Sequence, residues 1–148
     1  MATDAAVPSL APLFEALERE KVQWLIAGMS AAVLQGVPYS TLDTDIWINL
    51  PSRKYIRMTN LCRSLGAEIV ANTVVILQDG TTVNFLYRVD GLNTFLGEFR
   101  KAVRLEWLGR TVRVLPLERI LRSKTVVGRP KDIAHIPILE TFLKCRDC

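Results

Sequence analysis

The sequence predicts an α/β (α+β) domain in which a mixed β-sheet is flanked by helices. Three observations predict it. The chain has 148 residues, 49% apolar and 23% charged, which suits one domain, residues 1–148, with a core of its own and no need of disulfide or metal staples. Short apolar runs with strand character alternate with amphipathic helical segments, and the order helix-strand-helix-strand-helix, a run of strands, then two helices fits helices packed on one sheet. A strong hairpin signal, Asp79-Gly80, sits inside the strand run and makes part of that sheet antiparallel.

Residues 1–8 read as a flexible leader. After Ser9, Leu10, Leu13, Phe14 and Leu17 recur at helical spacing, with Pro12 in the first turn and a charged Glu-Arg-Glu-Lys run at 18–21 closing the helix. Residues 22–27 form a short apolar strand that ends at Gly28. A short helix over 30–35 stops at Gly36-Val37-Pro38, and residues 41–50 are β-rich with strict alternation at their centre. A second helix starts at Pro51-Ser52, burying Tyr55, Ile56, Met58, Leu61, Cys62 and Leu65, with Gly66 as its cap. Strands follow over 67–71, 73–77 and 81–88. After a short helix over 92–99, residues 100–107 and 111–115 alternate around a turn at Gly109-Arg110. Helices over 116–127 and 131–143 finish the chain, the second interrupted by Pro137.

No apolar stretch approaches the ~18 residues that cross a bilayer, no secretory signal is evident, and Cys62, Cys145 and Cys148 do not make a disulfide framework. These features suggest a cytoplasmic protein without a membrane partner. The net charge of +4 divides unevenly, −3 over residues 1–99 and +7 over 100–148. The basic part suits a polyanion such as nucleotide phosphates or RNA, or simply a solvated helical surface. Aromatics are few there, which weakens the RNA reading.

The most informative segment is Gly28-Met29-Ser30 followed by Asp43-Thr44-Asp45. Residues two apart on a strand share a face, with Cα atoms roughly 6.5–7 Å apart. Asp43 and Asp45 therefore aim at one place, and two convergent carboxylates repel unless a cation lies between them. Mg²⁺ suits such a pair, completing its shell with water and substrate phosphates. Gly28 lets backbone approach a phosphate and Ser30 adds a hydroxyl. Alternatively, the aspartates merely end a strand at the surface.

Taken together, the strand, Gly28-x-Ser30, a short helix, Gly36 and Thr41-Leu42-Asp43-Thr44-Asp45-Ile46 resemble the nucleotidyltransferase superfamily of the polymerase-beta type. More narrowly they resemble small bacterial abortive-infection, toxin–antitoxin-like nucleotidyltransferases. The helical segment bearing Lys124, Arg129 and Asp132 matches a later part of that pattern, so the likeness runs from about Val22 to Leu143. It implies a nucleotidyltransferase-like sheet, an NTP substrate, and metal on Asp43 and Asp45. It implies nucleotide contacts from Gly28, Ser30, Thr41, Lys124 and Arg129, and a hydroxyl acceptor that is an RNA, a protein or a small molecule. Asp43, Asp45, Asn84 and Lys124 would form the catalytic set.

Three departures bear on that expectation. Met29 replaces a small residue of the turn, Tyr39 stands where the pattern has arginine, and Asn84 occupies the place of a third carboxylate. An amide offers a carbonyl oxygen but no charge and takes no proton at neutral pH. Two readings stay open: a transferase with its two-ion site reduced to one, or an inactive nucleotide-binding module acting through a partner protein or RNA. Asp132 reads first as a helix cap and second as a group orienting Lys124 or an acceptor, His135 as a packing or surface residue before a site residue, and Trp47, on the aspartate face, as core before a platform for a base. Cys145 and Cys148 have no second pair with which to hold zinc.

Overall fold

The computed structural model describes residues 8–146; the expectations for residues 1–7 and for Cys148 fall outside them. The described residues form six α-helices and a single mixed sheet of seven strands. In chain order these are α1 (Leu10–Arg19), β1 (Trp24–Ala27), α2 (Gly28–Leu34), β2 (Asp43–Ile48), α3 (Tyr55–Ser64), β3 (Glu68–Ala71), β4 (Val74–Ile76), β5 (Thr82–Leu86), α4 (Phe95–Arg100), β6 (Val103–Trp107), β7 (Arg110–Val114), α5 (Leu117–Val127) and α6 (Pro130–Arg146). A 3₁₀ turn at Ser52–Lys54 leads into α3. No helix among the described residues is long and apolar enough to cross a membrane.

Strand order is β3-β4-β5-β2-β1-β7-β6. β2 lies at the centre, parallel to β5 and antiparallel to β1, while β1 runs parallel to β7. All four residues of β1 are buried, as a strand covered on both faces requires, and its continuously apolar sequence is the signature of that position. Leu13, Phe14 and Leu17 of α1 are fully buried in the same core as Leu25 and Ile26, and the Phe14 ring stacks on Trp24 at 4.2 Å. The hairpins are local: Asp79-Gly80 turns β4 into β5, with Gly80 at φ 91°.

Some boundaries differ from the sequence reading. β2 is shorter than 41–50, and α2 begins at Gly28 rather than Ser30. The β6–β7 turn is Leu108-Gly109, one residue earlier, both residues with positive φ (54° and 76°), as a tight twisted hairpin demands. On α3, Ile56 is 55% exposed and Thr59 is buried instead, its hydroxyl satisfied by the Ile56 carbonyl. Pro137 does not stop α6, which runs through it to Arg146; the proline and Ile133, whose carbonyl loses its usual partner, are both exposed, so water can serve that carbonyl. Ser9 makes no side-chain cap for α1; its hydroxyl accepts from the Asp79 N–H and its own N–H donates to the Asp79 carboxylate, pinning the helix start to the β4–β5 turn.

Candidate functional site: an acid and base-lined cleft at the end of the central strands

β1 delivers Ala27 and Gly28 to the point where β2 delivers Asp45 and β5 delivers Asn84. Asp45 is the register partner of Ala27 on one side and of Asn84 on the other. Gly28 sits at φ 59°, and a Cβ there would land on the Asp45 carboxylate. The glycine is therefore needed to seat Asp45, a closer role than the phosphate approach read from the sequence. Ser30 is buried; its hydroxyl donates to the Ala27 carbonyl at 2.8 Å and accepts the Asp45 N–H at 3.0 Å. It latches α2 to β2. The Asp43 N–H donates to the Thr41 hydroxyl at 3.3 Å, holding the entry to β2.

These residues open on a cleft of about 620 Å³, lined by Gly28, Met29, Thr41, Asp43, Asp45 and Asn84 on one side. The opposite side carries Lys124, Arg129, Lys131, Asp132 and His135. Of the residues the sequence assigned to metal, catalysis or nucleotide, all but Ser30 line it. The Asn84 amide donates to Asp45 Oδ1 at 2.9 Å. Burial drives the Asp45 carboxyl above its ordinary value, partly offset by that amide and by the charge of Lys124, while Asp43 beside it pushes the same way as burial.

The cationic side is built around Asp132, which is 1% exposed. Lys124 Nζ donates to its Oδ1 at 3.2 Å, and Arg129 gives Oδ2 both its Nε, at 2.8 Å, and its backbone N–H, at 3.2 Å. The backbone bond is the reach of a third helical residue back to the residue before the helix, so Asp132 caps α6 as expected and also clamps both cations. Burial alone would raise the Asp132 carboxyl, but Arg129 and Lys124 outweigh it and hold it below its ordinary value. Lys124, itself buried, is lowered by desolvation against the pull of Asp132 and Asp45. Gly128 ends α5 in the left-handed conformation and lets α6 turn back beside it.

No family model matches this chain, and no curated protein does. Solved structures do. The antibiotic-resistance factor ANT(2″)-Ia in complex with adenylyl-2″-tobramycin superposes with a TM-score of 0.58 at 17% identity, covering 98% of this chain and 92% of that one. The lincosamide antibiotic adenylyltransferase LnuA with lincomycin bound gives 0.58 at 13% identity, over 89% and 94%. An antigenic nucleotidyltransferase-like protein from Paracoccidioides brasiliensis gives 0.57 at 22%, over 91% and 74%. The fold is a nucleotidyltransferase fold. At these identities the likeness establishes architecture and leaves the chemistry to the residues.

Within this nucleotidyltransferase fold the donor set fits one hard cation. Asp43 and Asp45 point from the same face of β2 into the cleft, and no group of three acidic, histidine or cysteine side chains that could hold a metal exists among the described residues. Two carboxylates completed by water and phosphate oxygens suit Mg²⁺, and a second ion would find only the Asn84 amide. Three residues do more than their leading sequence readings. Asp132 joins residues eight and three positions away, a pattern with no periodic signal. Tyr39, taken only as a lost arginine, meets His135 Nε2 at 3.0 Å across 96 residues. His135 thus lines the cleft, its imidazole lowered by burial and by Lys124 against the opposing pull of Asp132. Trp47 is core, 2% exposed and edge-on to Phe95.

Proposed function

We propose that this chain is a Mg²⁺-dependent nucleotidyltransferase that moves a nucleoside monophosphate from an NTP to a hydroxyl acceptor. The observation that carries the reading is one cleft with paired aspartates on one wall and Lys124 and Arg129 on the other. Asp43 and Asp45 would hold Mg²⁺, which when bound supplies charge neutralisation along the triphosphate. Lys124 has two N–H donors beyond the one given to Asp132, and Arg129 is half-exposed, so both retain donors for phosphate oxygens. Gly28 and Thr41 shape the aspartate wall, and Ser30 fixes Asp45 from behind.

In the transfer the acceptor oxygen bonds to the α-phosphorus, the bond to the bridging oxygen breaks, and pyrophosphate leaves with that electron pair. The hydroxyl proton goes to water, because the Asn84 amide cannot take it. Positioning and electrostatics carry most of such a reaction. The neighbours described with adenylyl-tobramycin and lincomycin favour a small-molecule acceptor, and the bacterial toxin-like likeness leaves RNA or protein as the competing classes.

Asn84 also favours a second reading, a nucleotide-binding module acting through a partner. Calorimetry with each NTP, with and without Mg²⁺, tests binding: we expect metal-dependent binding that Asp43→Ala and Asp45→Ala abolish. Labelled NTP added to cell extract tests transfer. Label on some acceptor supports the transferase, and tight binding with no labelled product supports the module. Activity that appears only in Asn84→Asp would mark the natural chain as degenerate.

A further inference from the structure

The sheet ends in two strands of different character, β3 on one side and β6 on the other. β3 slips register against β4 between Ile69 and Ala71, which breaks the line of backbone groups along its open side. β6 has no such irregularity: all five of its residues pair with β7, from Val103 with Val114 to Trp107 with Arg110. The two-residue turn Leu108-Gly109 makes Trp107 and Arg110 a hydrogen-bonded pair, so Trp107, Leu105 and Val103 turn their backbone groups toward β7. The N–H and C=O groups of Arg104 and Glu106 therefore point outward from the sheet, and among the described residues no other backbone group reaches them.

The side chains of β6 alternate with the same period. Val103, Leu105 and Trp107 are half-buried on the face that α1 covers, where the Trp107 ring lies 5.9 Å from that of Phe14. Arg104 and Glu106 are exposed on the opposite face. Arg104 has no ion-pair partner among the described residues. Its register partner on β7 is another arginine, Arg113, whose guanidinium is lowered by burial and then by Arg104. Glu106 accepts one hydrogen bond, from the Thr111 hydroxyl at 2.9 Å, and meets no cation among the described residues.

We infer that β6 is a self-pairing edge that joins two copies of this chain about a two-fold axis through Leu105. Charge along the strand decides the register. A two-fold antiparallel pairing through the outward groups can centre on residue 104, 105 or 106. Centring on 104 sets Arg104 against its own copy, and centring on 106 does the same to Glu106; like charges directly opposite are destabilising. Centring on Leu105 sets Arg104 against Glu106 of the second copy, twice over, and each such pair exchanges both backbone hydrogen bonds. Val103 then lies opposite Trp107, and Leu105 opposite itself, so the half-buried apolar row of one sheet continues into the other. The second copy's glutamate also brings the anion that the Arg104–Arg113 pair lacks. Charged side chains commonly blunt an edge; here a base and an acid two residues apart blunt every register but one. That self-complementary order, rather than the openness of the edge, makes a second copy the occupant. β3 has no equivalent, since Glu68 is its only charge. The axis stands perpendicular to the sheet and reverses every strand. The two clefts, to which β6 contributes no residue, therefore open at opposite ends of one continuous sheet. None of this depends on the transferase reading.

The test is sedimentation equilibrium of the full chain without nucleotide, from about 1 μM to about 1 mM, the range of weak interfaces. We expect reversible dimerisation that weakens as salt rises, because the paired charges are exposed. Arg104→Glu and Glu106→Arg each place like charges opposite one another twice, and each should weaken the dimer about tenfold or more. The two variants mixed should associate again as a heterodimer, and both changes in one chain should restore the homodimer. Both side chains are exposed, and circular dichroism checks that each variant is folded. Should a variant misfold, hydrogen exchange in the unmutated chain takes its place: the Arg104 and Glu106 amides should exchange more slowly as concentration rises, while those of β3 hold their rates. Four outcomes overturn the inference: a chain that stays monomeric across the range, a dimer that either single variant leaves intact, variants that recover nothing when mixed, or a dimer whose Arg104 and Glu106 amides gain no protection.

Discussion

Asp45 and Asp132 face one cleft from opposite walls, and their surroundings drive them in opposite directions. Asp45 loses water and receives one neutral amide bond at 2.9 Å, so burial wins and its carboxyl rises. Asp132 is all but closed to solvent yet receives an ammonium and a guanidinium, so the cations win and it falls. Burial does not decide the charge of a carboxylate; what burial leaves beside it does. Asp132 already has its countercharges and acts as structure, while Asp45 has only the weaker pull of Lys124 and Lys131, which leaves room for the cation proposed above.

Removing the satisfied carboxylate should have the largest effect. Asp132→Asn leaves Lys124 buried with its partner neutralised, and breaking one member of a buried pair costs about 3–5 kcal/mol. Denaturant unfolding should show that loss at neutral pH, and NTP affinity should fall with it because Lys124 and Arg129 lose their anchor. The pH dependence has a defined sign. The folded carboxyl lies below its ordinary 3.8, so its contribution is complete above that value and disappears as pH falls through the lowered one. Asp132→Asn should flatten that part of the acid limb. Glu98, held below 4.5 chiefly by its two hydrogen bonds from Arg119, will leave a residual acid slope of its own.

The seat of the unsatisfied carboxylate gives the next effect. Gly28→Ala puts a methyl group on the Asp45 carboxylate at a backbone φ of 59°, so both strain and collision oppose it. We expect about 2 kcal/mol of destabilisation and loss of metal-dependent NTP binding. If the variant is as stable as the natural chain, Gly28 serves some purpose other than making room for Asp45.

The two walls were unequally legible in the sequence. The aspartate wall is local: Asp43 and Asp45 lie two apart on a strand, Gly28 ends the strand before, and the alternation of 44, 46 and 48 marks the opposite face. Each is a short-range signal, as is Asp79-Gly80 in the hairpin that brings Asn84 alongside. The cationic wall depends on how α5 and α6 turn about Gly128, and neither the Lys124–Asp132 contact nor Tyr39–His135 has a period that composition or spacing reveals. Trp47 shows the same limit from the other side. Its place on the aspartate face follows from alternation, but that its indole N–H lacks a partner follows only from where residues 87–95 pass.

The smallest expected effect has the opposite sign. Asp45→Asn removes a charge that burial opposes and keeps a side chain of nearly equal size, whose carbonyl can still accept from the Asn84 amide. Stability should therefore hold or rise, by no more than about 1 kcal/mol at neutral pH, while Mg²⁺-dependent NTP binding is lost. Opposite signs for Asp45→Asn and Asp132→Asn in the same unfolding assay are what the contrast between the walls requires. A clear loss of stability in Asp45→Asn would mean that Lys124 already compensates Asp45 across the cleft. Asp45 would then be a member of the buried ion cluster, and the case for an external cation at that wall would rest on Asp43 alone.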